Sequence, residues 1–163
     1  MSEFAAVWKA LEATPVAASV RESLWLFPAI ETLHLLGMGV VFTSIAAFDL
    51  RLLGLAFRTV RVQDLAQRLL PWTWTAFALQ VITGALLFAS EASRMAINPA
   101  FRLKMLLLAL AGLHALVFRF TADRADVRLA VDGRPPVRAR IAGTTSLLLW
   151  IGVVAAGRWI GFI

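Results

Sequence analysis

The sequence predicts an all-α membrane protein: a four-transmembrane-helix up-down bundle with an N-terminal interfacial amphipathic helix. Three observations carry this. The chain is 60% apolar, with a mean hydropathy of +0.79, well above soluble domains. Four apolar runs are each long enough, at ~1.5 Å per residue, to cross a ~30 Å hydrocarbon layer. Polar links with turn residues separate them. The 163 residues form one membrane domain.

Residues 3–13 place Phe4, Val7, Trp8 and Leu11 on one helical face, the spacing of an amphipathic helix. It is too short to span and is expected at the interface, anchored by Trp8, or packed on the bundle end. Thr14-Pro15 reads as its stop. The first twenty residues show no basic segment followed by an apolar core, so no signal peptide is expected.

The first span is read as 24–48, with Pro28 near its outer end. The link Asp49 to Pro71 follows, with a short polar helix or loop around 60–65. The second span is 72–90, opening at the water boundary with Trp72 and Trp74. Glu91 to Pro99 is a short link with Asn98-Pro99 as its turn. The third span is 101–120. The link Thr121 to Arg138 is the most polar stretch and turns at Asp132-Gly133-Arg134-Pro135-Pro136. The fourth span is 141–162.

Charge sets the expected topology. The first and third links and their flanks carry Arg51, Arg58, Arg61, Arg68, Arg119, Arg124, Arg128, Arg134, Arg138 and Arg140. The other side carries Lys9, Arg21, Arg94, Arg102, Lys104 and Arg158. The positive-inside rule then puts both termini outside the cytoplasm. The net charge of +6 is explained by these links, so no nucleic-acid partner is expected. The chain has no cysteine. Disulfides, thiolate metal sites, iron–sulfur clusters and covalently attached haem are excluded.

Two histidines remain as candidate ligands, each inside an apolar run. His34 lies ten residues past Leu24 and His114 eleven past Leu103. Both are thus ~15 Å down spans that run the same way. First and third helices of such a bundle are diagonal, and facing imidazoles across a diagonal suit one bis-histidine haem b. Gly37, Gly84 and Gly112, with Gly39, offer low-volume positions for a macrocycle. Arg94, Arg102 and Lys104, with Arg158, stand where propionates would point. Phe42, Phe77, Phe88, Phe118 and Trp150 are candidate walls. Glu31, one turn outward of His34, is a candidate for orienting it or taking a proton. The competing reading makes each histidine, and Gln80, an interhelical hydrogen-bonding residue, and each arginine a snorkelling anchor. Gly157-x-x-x-Gly161 reads as packing or an oligomer contact. Asp49 and Arg51 mark the inner end of the first span as a structural, ion-paired couple.

The segments Glu31-x-x-His34-x-x-Gly37 and Asp49-Leu50-Arg51-Leu52-Leu53-Gly54 resemble those of a family of small bacterial four-span proteins of unknown function. The layout is also similar to cytochromes of the b561 kind, which use two histidine pairs. One pair here implies at most one haem. At a coarser level it resembles the membrane domain of copper-resistance proteins.

Three functions follow as expectations. The first is a small b-type cytochrome, with His34 and His114 ligating one haem b and passing single electrons to or from a quinone or a redox protein. The second is copper or other metal binding or transport, with His34 and Met38 four residues apart on one face. The third is a cofactor-free structural subunit of a membrane complex or homo-oligomer. No catalytic triad, phosphate loop or dinucleotide fingerprint is present, so an electron carrier fits better than a stand-alone enzyme.

Overall fold

The chain, described by a computed structural model over residues 2–121 and 135–163, is helical with no strand among the described residues. The link turn at Asp132–Arg134, with Arg124 and Arg128, lies outside them. In chain order the helices are α1 (Ser2–Glu12), α2 (Pro15–Glu22), α3 (Leu26–Leu53), α4 (Val62–Ser90), α5 (Ala92–Ile97), α6 (Pro99–Thr121) and α7 (Val137–Trp159). A 3₁₀ turn, Ile160–Phe162, follows. The helices α3, α4, α6 and α7 are long and apolar enough to cross a membrane. This is a multi-pass membrane protein.

Proline did not simply stop the first helix. Thr14 caps a second one: its Oγ1 accepts from the Ala17 N–H and Pro15 takes the first-turn position that needs no donor. Together α1 and α2 cover one end of the bundle, hereafter the capped end. Trp8 meets Phe88 edge-on at 5.6 Å between ring centroids, which is the end-packing alternative for this helix. Glu12 accepts from the Ser93 backbone and hydroxyl, and Arg21 donates to the carbonyls of Glu12 and Ser90. At the same end Asn98 caps α6 through Oδ1, accepting from Ala100 and Phe101. Its Nδ2 donates to Ile160 and Ile163. The N-terminal helices and the C-terminal turn therefore share one end.

The second span begins ten residues earlier than its hydropathy suggests. Val62 and Leu65 are buried and extend an apolar stripe at helical spacing through the arginine-rich link. The helix runs on through Pro71. Trp72 and Trp74 lie within it and are exposed, as a membrane-boundary belt requires.

Consecutive crossings alternate in direction. α3 packs on α4 and on α7, and α7 packs on α6, but α4 and α6 do not pack along their lengths. They meet near the capped end, where Phe88 stacks on Phe101 at 5.2 Å. Glycines set the closest approaches. A Cβ at Gly143 of α7 would stand 2.9 Å from the Asp49 carbonyl oxygen and 3.1 Å from the Leu52 Cβ of α3. A Cβ at Gly37 would stand 2.8 Å from Gln80 Nε2.

The other end is locked by buried polar groups. Asp49 and Arg51 are 2% and 0% exposed. Two positions apart on a helix, they point to opposite sides. Asp49 faces Ser146 of α7, whereas Arg51 Nε donates to the Val60 carbonyl at 2.7 Å and ties down the following link. The expected Asp49–Arg51 couple is thus two separate anchors. Gly54 ends α3 in the left-handed region at φ +71°, where a Cβ would also strike the Pro135 ring at 2.8 Å.

Candidate functional site

His34 sits on the face of α3 that α4 grips with one turn, Gln80, Thr83 and Gly84. The Thr83 hydroxyl donates to the Leu79 carbonyl at 2.7 Å, which uses its only hydrogen. Its 2.9 Å contact with His34 Nδ1 therefore has the imidazole N–H as donor. This leaves the lone pair of the neutral ring on Nε2. Gln80 Nε2 donates to the His34 carbonyl. A Cβ at Gly84 would lie 3.1 Å from the ring, so Gly84 gives the imidazole its place. Gly37 does the same for Gln80. The sequence picked out both glycines; their occupant is a protein side chain.

His114 faces α7. Its Nε2 lies 3.0 Å from the Ala142 carbonyl, which only accepts, so Nε2 carries the hydrogen. The two histidines thus turn different ring nitrogens to their neighbours, His34 its Nδ1 to α4 and His114 its Nε2 to α7.

The structure does not bring them together. Phe48 and Phe118 touch across the bundle at 6.2 Å between centroids and so mark one level on α3 and α6. His34 is fourteen residues from Phe48, but His114 is only four from Phe118. The imidazoles are therefore offset by ~15 Å along the bundle axis. A shared metal needs both ring nitrogens within ~2 Å of it, and His114 has turned its Nε2 to a backbone oxygen. These residues do not fit one bis-histidine haem. The matched depth expected from sequence came from counting in from hydropathy edges. Counted from the true helix starts, Leu26 and Pro99, the depths already differ by ~10 Å.

The remaining candidates disperse accordingly. A Cβ at Gly112 would meet nothing within 4 Å, and neither would one at Gly39. Arg94 pairs with Glu91 at 3.2 Å, Arg102 donates to the Ala96 carbonyl, and Arg158 lies over the Phe162 ring at 4.7 Å. Lys104 turns inward against Gly157, 3.6 Å from that residue's Cβ position. Gly157 of the Gly157-x-x-x-Gly161 pair therefore serves packing within the chain. Phe88, Phe118 and Phe77 contact Phe101, Phe48 and Trp74 respectively. Glu31 is exposed and makes no hydrogen bond or ion pair among the described residues. Met38 shares a turn with His34, but no three His, Cys, Asp or Glu residues converge on a metal position among the described residues. A shallow groove of about 370 Å³ between α3 and α4, lined by Leu36, Gly39, Val40, Leu69 and Trp72 with the Thr43 and Ser44 hydroxyls, holds no titratable group.

Sequence reasoning passed over Thr83, whose hydroxyl fixes the His34 tautomer, and Ser146, which receives Asp49. Each lies on the inward face of a span (Thr83 4% exposed), and the inward face is a signal the helical period contains.

The chain belongs to a family of unknown function, DUF6644, which matches it over residues 27–163. No curated protein and no solved structure matches it.

Proposed function

We propose that this chain is a cofactor-free subunit of a bacterial inner-membrane assembly, in which both histidines hold helices together. One observation carries this reading: each imidazole donates its one N–H across a helix pair, His34 to Thr83 and His114 to Ala142, ~15 Å apart along the axis. Such bonds replace the water that a polar side chain lacks in lipid. The arginine bias of the links supports an orientation with both termini in the periplasm. The cytochrome reading, with a haem b and a quinone or redox-protein partner, ranks behind it because it needs one metal between two rings that stand at different levels. The copper reading ranks behind it because His114 is out of reach of His34 and Met38.

An absorption spectrum of protein purified from haem-replete cells is the test. No Soret band is expected. His34→Ala and His114→Ala, singly and together, should accumulate and fold, each losing about 1 kcal/mol. A Soret band stoichiometric with protein and lost in either variant overturns the proposal.

A further inference from the structure

Most hydroxyls of the spanning helices are used within their own helix. Thr32, Thr73, Thr75, Thr83, Thr121 and Thr144 each donate to a carbonyl one turn back, which satisfies a hydroxyl in lipid. Thr43, Ser44 and the exposed Thr145 make no hydrogen bond among the described residues. Thr43 and Ser44 both line the groove of about 370 Å³ between α3 and α4. Ser44 is only 8% exposed, so an acceptor from outside the chain reaches it through that groove.

The same stretch is shaped for another helix. Leu35-Leu36, Gly39-Val40 and Thr43-Ser44 repeat at a spacing of four, which stacks them in one row along α3. Leu35 and Leu36 stand out at 65% and 63% exposure, and Val40 at 43%. Gly39 is the gap between them: a Cβ there would meet nothing within 4 Å. Such a row, high and low by turns, interdigitates with a second row of the same spacing at a right-handed crossing. Its own image supplies that second row. Two copies inserted in the same sense are related by an axis along the membrane normal, so each face meets the same face. Thr43 and Ser44 then each stand level with a copy of themselves, and a hydroxyl both donates and accepts. Glu31, ~12 Å nearer the capped end, is not forced onto its image, because crossed helices splay away from their contact.

We infer that the chain forms a parallel two-fold dimer through α3, with Gly39 and Thr43 at the crossing and the groove beside α4 covered by the second copy. The inference rests on the reading of the chain as a subunit of an assembly and names one partner in it. The two fail separately. A Soret band overturns that reading and leaves dimerisation as it is, whereas a monomeric chain overturns this one and leaves the spectrum as it is.

The test is the oligomeric state of the full chain in vesicles of phosphatidylglycerol and phosphatidylethanolamine. The chain has no cysteine, so labels and crosslinks go only where they are introduced. Donor and acceptor dyes at Leu55→Cys, on the exposed link beyond α3, should show energy transfer between copies above that of randomly mixed monomers. On oxidation Thr43→Cys should join two copies by a disulfide, and Leu106→Cys on the exposed face of α6 should not. Gly39→Val should weaken dimerisation about tenfold and Thr43→Val about threefold, with helicity by circular dichroism unchanged. Gly39→Val fills no occupied space within the chain, so once the copies are diluted apart each unfolds as wild type does. Energy transfer no greater than that of random mixing overturns the inference whether or not any variant folds, since the groove then faces lipid alone. So does a disulfide formed as readily at Leu106→Cys as at Thr43→Cys. Undiminished dimerisation by folded Gly39→Val also overturns it, since the copies would then meet through another face.

Discussion

Gly143→Val will part α3 from α7 and cost about 3 kcal/mol of stability. The new Cβ would start 2.9 Å from a backbone oxygen and 3.1 Å from the Leu52 Cβ. Neither atom is the far end of a flexible side chain, so the helices themselves must move. The shift also loosens the His114–Ala142 bond at the adjacent residue of α7. The unfolding midpoint in a denaturing detergent titration, followed by circular dichroism, reads the effect. Gly39→Val is the matched control. Its Cβ meets nothing within 4 Å, and its midpoint should stay within ~0.5 kcal/mol of wild type.

Arg51→Met has an expected cost of similar size, about 3 kcal/mol, or failure to accumulate. The methionine keeps an apolar stem but removes a guanidinium that is 0% exposed and donates to Val60 at 2.7 Å. The link from Gly54 to Arg61 then loses the bond that holds it under the bundle. Trypsin should cleave this link faster, at Arg58 or Arg61, than in the wild-type chain. Arg58→Met removes an exposed guanidinium bonded to the Gly54 carbonyl and should change stability by less than ~0.5 kcal/mol. Arg51→Lys should recover only part of the loss, because an ammonium on a different stem does not reproduce the planar fork.

The four crossings were legible because lipid imposes a coarse rule, long apolar runs between polar links, and α3, α4, α6 and α7 each obey it. The ends were less legible. Val62 to Leu70 reads as a link by charge, yet its buried Val62 and Leu65 continue the stripe of α4. Pro15 reads as a stop, but Thr14 makes it a start. The candidate site was legible residue by residue and not as a whole. His34, Gly37 and Gly84 do meet, because they lie where α3 and α4 touch. His114 does not join them, because the sliding of α6 against α3 is set by where small residues admit close contact. Gly143 against Asp49 and Leu52 of α3, and Gly152 at 3.1 Å from Leu107 of α6, set that register. Hydropathy carries no register: it averages over windows longer than the ~15 Å at issue.

The absence of cysteine makes the central geometry directly measurable. Nitroxide labels on introduced cysteines at His34 and His114, and separately at Phe48 and Phe118, give two distances across the same helix pair by dipolar electron paramagnetic resonance. With interhelical spacings of ~9 Å, level positions across the diagonal stand ~13 Å apart, and positions offset by ~15 Å stand ~20 Å apart. The Phe48/Phe118 pair should give the shorter value and the His34/His114 pair the longer one. Equal, short distances for both pairs would put the imidazoles at one level and contradict the separation from which the cofactor-free reading is built.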